Sequence, residues 1–173
     1  MSLDRLPARS SSGAFHVVVE SPRGSALKLK YEPALGVVVL SRPLPLGLRY
    51  PFDWGFVPST RAPDGDPLDA AVLVEAGSYP GVVIACRAIG LIALEQDKKD
   101  RSGRERNDRI LAAPISAPRL HHVRDERDLA PRIREEIEQF FLNAVFFEPK
   151  NARILGWSGA LAAEAAIDRA AQA

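Results

Sequence analysis

Cysteine is nearly missing from this chain. Cys86 stands alone, which excludes an intrachain disulfide and fits a reducing, cytoplasmic setting. It sits in the apolar run Val82-Val83-Ile84-Ala85-Cys86 and reads as a small buried hydrophobe rather than a nucleophile. Long apolar runs are missing as well, and no stretch reaches the length of a membrane-spanning helix. The first residues carry Asp4, Arg5 and Arg9 without the apolar centre of a secretory signal. An excess of either charge is also missing. The net charge of +1 offers no field for a nucleic acid or a membrane surface, so neither is expected as a partner. There is no internal repeat.

What is present is an ordinary globular balance, 46% hydrophobic and 26% charged over 173 residues, enough for one core. Residues 1–13 end in Ser10-Ser11-Ser12-Gly13 and are expected to be a flexible arm, with residues 14–173 as a single domain. Valine-rich runs bounded by Pro and Gly predict strands over Phe15–Val19, Leu27–Tyr31, Val37–Leu40, Ala70–Val74, Val82–Leu94 (bent at Gly90) and Arg109–Ala113. Residues 41–69, rich in Pro, Gly and aromatics, read as rigid irregular backbone, and the mixed-charge run 97–109 as a solvated loop. Leu129, Ile133, Ile137, Phe140, Phe141 and Ala144 then recur at helical spacing, with Asp128 as the expected N-cap. The Ala-rich segment Leu161–Ala171 predicts a second helix. Strands followed by helices make an α+β chain, mainly β. Short bent strands suggest a small closed barrel with helices outside it.

The chemistry concentrates at Asp64-Gly65-Asp66-Pro67-Leu68-Asp69. Carboxylates this crowded raise one another's pKa, a cost that a bound divalent cation removes. Hard oxygen donors at this density suit magnesium or manganese. A plain exposed Asp-Gly turn is the alternative. An EF-hand is not, because its bidentate Glu is missing. Glu20 ends the first strand. Lys30 and Glu32 lie two apart and so project from one face of the second, and Arg42 closes the third. Metals with Lys and Arg are what an anionic phosphate needs. His121-His122 reads as part of a polar loop, and His16 as outward-facing.

Taken together, Val18-Val19-Glu20, Lys30-Tyr31-Glu32, Arg42, Tyr50-Pro51 with Gly55, the acidic turn, Pro80-Gly81, Cys86-Arg87 with Gly90, and Phe140-Phe141 followed by Gly156-Trp157 resemble the soluble family I inorganic pyrophosphatases across roughly residues 15–160. The resemblance implies an OB-like five-stranded closed β-barrel with flanking C-terminal helices. It implies hydrolysis of inorganic pyrophosphate to two orthophosphates by metal-activated water, and a homo-oligomer, often a hexamer in bacterial members. The implied cofactor is Mg2+, with Mn2+ or another divalent cation as the alternative. Carried over by position, Asp64, Asp66 and Asp69 ligate metal, with Asp66 also taking the proton of the attacking water. Glu20 serves catalysis through an outer metal. Lys30, Glu32, Arg42 and Tyr50 bind or support the substrate, together with Trp54 and Arg109.

Three places depart from that pattern. Trp54 stands where the family has a tyrosine. Asn107 takes a metal-ligand position and Arg109 a lysine position. A regular strand turns Asp108 to the opposite face and a bulge brings it in; Asp108 is carried as the replacement ligand, with Asp97 and Asp100 as alternatives. Ala144 and Val145 occupy the positions of a phosphate-contacting Tyr-Lys pair, which Lys150 replaces only if the chain bends back. These departures keep a second reading open, a member with weakened or altered phosphohydrolase activity. A third is an OB-like oligonucleotide-binding module, which the acidic turn opposes.

Overall fold

In the computed structural model, which describes residues 2–100 and 102–171, the valine-rich runs become the expected strands. They are β1 (Phe15–Ser21), β2 (Leu27–Glu32), β3 (Val37–Pro43), β5 (Asp69–Val72), β6 (Val83–Asp97) and β8 (Arg109–Pro114). Met1, Arg101, Gln172 and Ala173 lie outside the described residues, including the Arg of the charged run and the end of the expected domain. Three further strands were not expected: β4 (Asp53–Phe56), β7 (Arg104–Arg106) and β9 (Arg153–Gly159). β4 hides in the Pro/Gly-rich segment because all four of its residues are buried, so it shows no alternation. β9 carries Gly at both its fourth and last positions, which weakens a strand pattern. Residues 97–109 are not wholly loop, since β7 pairs back onto the end of β6.

Five strands close a ring. β1 pairs with β4, β4 with β5, β5 with β8 in parallel, β8 with β6, and β6 with β1. This is the mainly-β, OB-like architecture, with β2 and β3 as a separate hairpin. β6 slips register between Ala88 and Gly90, the bend that Gly90 predicted. Gly55 in β4 is a close approach: a Cβ there would lie 1.9 Å from the Val18 carbonyl oxygen of β1.

Two helices flank the ring. In α1 (Pro131–Ala144) the buried face is Ile137, Phe140, Phe141 and Ala144. These rings meet Tyr50, Phe52 and Trp54, with Phe140 and Phe52 centroids 5.2 Å apart and Phe141 and Trp54 5.6 Å apart. Burying one such aromatic ring contributes roughly 1.5–3 kcal/mol. Ile133, expected on the same face, is exposed. Asp128 does not cap α1. Its carboxylate accepts from the backbone N–H groups of Arg124 and Asp125, at 2.8 and 2.9 Å, in the turn before. Ala130 occupies the N-cap and Pro131 the first turn, where a missing N–H costs nothing. The helix α2 (Ala160–Ala171) buries Ala163, Ile167 and Ala170 in a cluster with β1, β5, β6 and β8. Cys86 is fully buried there.

The N-terminal segment does not hang free. Ser2 Oγ lies 2.8 Å from Tyr31 Oη. The Ala8 carbonyl accepts from His16 N at 2.9 Å, and the Arg9 guanidinium spans Glu164 and Asp168 of α2. These contacts join the segment expected as an arm to β1, β2 and α2.

Candidate active site

The acidic turn is fixed by its own backbone. Ala62 N donates to the Asp66 carbonyl at 2.8 Å, and Gly65 N to the Ala62 carbonyl at 2.9 Å. Gly65 takes φ 86°, a left-handed conformation that side chains disfavour. Asp64 Oδ1 accepts from Asp66 N at 3.2 Å. Asp69 opens β5, so its position is set by the ring itself. Burial pushes the Asp64 carboxyl above its ordinary range, with Asp69 and Asp66 adding repulsion and the Asp66 N–H opposing the shift.

Asp64, Asp66 and Asp69 line one cleft, of about 310 Å³, together with Glu20, Lys30, Glu32, Trp54 and Arg109. Glu20 is buried at 7% exposure, and its Oε1 accepts from Tyr31 N at 2.7 Å. Desolvation pushes its carboxyl up to about 7 against that hydrogen bond, with the charge of Asp69 adding to the rise. Lys30 Nζ stands 3.7 Å from Asp66 Oδ2.

Arg109 lies opposite Asp69 in the parallel β5–β8 register. Its Nη1 donates to both Asp69 Oδ2 and Asn107 Oδ1, and its guanidinium carbon sits 5.2 Å from the Trp54 ring centroid. Among the described residues, its Nε is buried without a partner. The substitutions at 54, 107 and 109 are thus neighbours in space. The indole supplies a face for the guanidinium, and the neutral amide of Asn107 accepts from it.

Behind the cleft a smaller hollow of about 40 Å³ is lined by Arg42 and Tyr50, and it shares Lys28, Trp54, Gln96, Arg109 and Lys150 with the cleft. Desolvation raises the Tyr50 phenol to about 12, with the polar side chain of Ser21 opposing. The chain does bend back at Lys150: Asp97 N donates to the Lys150 carbonyl at 2.7 Å.

Asp108 is not brought to the cleft. From Asn107 into β8 the chain alternates, so Asn107 and Arg109 face inward and Asp108 outward. The Asp108 carboxylate accepts from Leu94 N at 3.1 Å and from Arg106 Nε and Nη2 at 2.9 Å, beside a separate hollow with Arg61 and Arg169. Asp97 is paired with Arg104, and Asp100 accepts from Ser102 N at 2.9 Å; neither lines the cleft. Lys28, Gln96 and Lys99 do line it and were missed. Lys28 had a signal, its spacing of two from Lys30 on an alternating strand.

Among the described residues, no three acidic side chains already converge tightly enough to enclose an ion. In donor type, however, Asp64, Asp66, Asp69 and Glu20 fit a hard divalent cation, and the raised Asp64 and Glu20 carboxyls mark charge that such a cation would relieve. Acid groups interleaved with Lys and Arg in one cleft can bind a polyanion together with its cations and deliver a base to it.

Comparison with known proteins points the same way. A family model described as Inorganic pyrophosphatase matches residues 17–173. An inorganic pyrophosphatase of Nostoc is 37% identical over 173 residues, covering 100% of this chain and 99% of the relative. The crystal structure of an inorganic pyrophosphatase from Thermus thermophilus superimposes with a TM-score of 0.91 at 35% identity, covering 99% of this chain and 98% of that one. One from Coxiella burnetii does so with a TM-score of 0.86 at 32% identity, covering 96% and 98%.

Proposed function

The chain belongs to the inorganic pyrophosphatase family, and from that premise we propose how its cleft hydrolyses pyrophosphate and what it requires to do so. The reaction is cleavage of pyrophosphate to two orthophosphates. The observation that carries the site assignment is the acidic turn lining one cleft with Glu20, Lys30 and Arg109. No observation favours the nucleic-acid module or an altered phosphate ester.

Asp64, Asp66 and Asp69 hold the divalent cation, with magnesium the expected ion, and Glu20 serves an outer one. Bound there, magnesium supplies Lewis acidity and shields phosphate charge. Asp66 takes the proton of the attacking water on a carboxylate oxygen, and Lys30 stands beside it to hold the electrophilic phosphoryl group. Arg109 donates to phosphate oxygens from the opposite strand, oriented by Trp54, Asn107 and Asp69. Glu32 supports Lys30 from the same face of β2. Arg42 and Tyr50 shape the inner hollow. With Asp108 turned away, the acid set is one carboxylate smaller, and Arg109 with Asn107 occupies that place. The homo-oligomer, a hexamer, is carried over from the family, and an apolar patch of Leu46, Phe146 and Phe147 exposed around one hollow is the kind of surface that self-association covers. Cytoplasmic location accords with the lone Cys86.

The test is phosphate release from pyrophosphate during a magnesium titration. Turnover no better than that of Asp66→Ala at every magnesium concentration rules the reading out. Sedimentation as a monomer would remove the oligomer.

A further inference from the structure

The end of α1 gives a bound anion nothing to hold. Ala144 is buried, Val145 is apolar, and the Ala144 carbonyl accepts from Arg42 Nη2 at 2.7 Å. Arg42 is further committed, with Nη1 donating to the Pro43 carbonyl at 3.2 Å and Nε 3.3 Å from Glu148 Oε1. A diphosphate lying in this cleft must find its remaining cations on other elements.

Two lysines from distant parts of the chain meet there. Lys28 comes from β2, and Lys150 from the turn between α1 and β9. Both line the cleft and the inner hollow. Among the described residues, neither ammonium lies within ion-pair distance of a carboxylate. The arrangement is unfavourable on its own. Lys28 is directly opposite Arg42 in the β2–β3 register, and like charges so placed destabilise a hairpin. Burial, then Lys28, Arg109 and Arg42, lower the Lys150 ammonium to about 8, with Asp69 opposing. Burial lowers Lys28 as well.

The backbone nonetheless holds Lys150 in place. Its N–H donates to the Glu148 carbonyl at 2.7 Å, its carbonyl accepts from Asp97 N at 2.7 Å, and Asn151 turns the chain at φ 44°, a conformation Asn tolerates better than most residues. Half-buried cations with no carboxylate at ion-pair distance among the described residues are matched by a multivalent anion.

We propose that Lys28 and Lys150 form a two-lysine grip on the phosphoryl group lying away from the acidic turn, replacing the side chains that the end of α1 lacks. The grip rests on the pyrophosphatase reading for the identity of its ligand. It makes both residues determinants of diphosphate binding and leaves proton transfer at Asp66 unchanged.

The experiment combines pyrophosphate kinetics with calorimetric binding of methylenediphosphonate, which is not hydrolysed, for the parent, Lys28→Met, Lys150→Met, the double variant and Lys150→Arg. Thermal melts confirm folding. Each Met variant is expected to raise KM and the diphosphonate Kd roughly tenfold or more, with kcat changed by less than about threefold. The double variant loses more than either single one, and Lys150→Arg recovers part of the loss because charge is kept. Parent-like KM and Kd in both folded Met variants overturn the grip. A parent that binds diphosphonate in a lysine-dependent way but releases no phosphate leaves the grip standing and overturns the reading of the reaction. If Lys28→Met does not fold, Lys28→Gln replaces it, and the Lys150 pair still decides.

Discussion

The Arg109 guanidinium carbon lies over the Trp54 ring, 5.2 Å from its centroid, while its Nη1 bridges Asp69 and Asn107. Three substitutions that look like separate losses along the chain are one contact set. Trp54→Ala is expected to cost about 0.5–2 kcal/mol of transition-state stabilisation, read as kcat/KM. Arg109→Lys is expected to lose more, because an ammonium on a flexible stem has no delocalised face to pack over the indole and fewer donors left for phosphate oxygens. The triple variant Trp54→Tyr, Asn107→Asp, Arg109→Lys should outperform Arg109→Lys alone. Equal activity of Arg109→Lys and the parent would remove any role for this contact.

Asp66→Ala separates chemistry from stability. As the proposed base, Asp66 should contribute about 100- to 10,000-fold to kcat. Its 3.7 Å contact with Lys30 joins two half-exposed side chains, worth about 0–1 kcal/mol. Loss of turnover with a nearly unchanged melting temperature is the expected pair of results. A collapse of both would make Asp66 structural.

Glu20 gives a pH signature in the metal-free protein. Burial raises its folded-state value from 4.5 to about 7, so the folded protein holds this proton more tightly than the unfolded chain does. Its contribution is full below about 4.5, declines as the pH rises, and is gone above about 7. The raised value corresponds to a contribution on the order of 3 kcal/mol. Melts in chelator across this window should show the decline, and Glu20→Gln should flatten it. Added magnesium should offset the loss at neutral pH. An identical profile in Glu20→Gln would assign the pH dependence to other groups.

Gly55→Ala tests the closure of the ring. Its Cβ would sit 1.9 Å from the Val18 carbonyl oxygen, and the nearest atoms are all β1 backbone, which leaves no flexible side chain to yield. Destabilisation of about 3 kcal/mol, at the upper end for overpacking, is expected in urea melts. A change below about 1 kcal/mol would mean that β1 and β4 can separate cheaply.

The sequence made the acidic turn legible because glycine and proline fix its local geometry, and it made most ring strands legible because β-branched residues cluster in them. Asp53–Phe56 was not legible as a strand. Burial on both faces erases the alternation that marks one. Asp108 was misplaced because the choice between a regular strand and a bulge depends on pairing with a partner far along the chain. Lys150 depended on whether a turn closes onto Asp97, a tertiary hydrogen bond. Asp128 fitted the pattern of a cap and caps a different turn, since several acids within one short segment compete for the same role.

The long strand β6 exchanges hydrogen bonds with β1, β8, β7 and β9. That places a time order on the birth of the protein. As the chain is synthesised, β1, β4 and β5 emerge first, yet their ring cannot shut until Arg109–Pro114 has followed. β9 then docks only after the turn bearing Lys150 is complete. The earliest strands must wait with open edges for residues made much later, which is the slow regime for non-local pairing. Ribosome-bound chains ending before Arg109 should therefore be protease-sensitive, and resistance should arrive in a late step, bringing the acidic turn and its facing cations into register together.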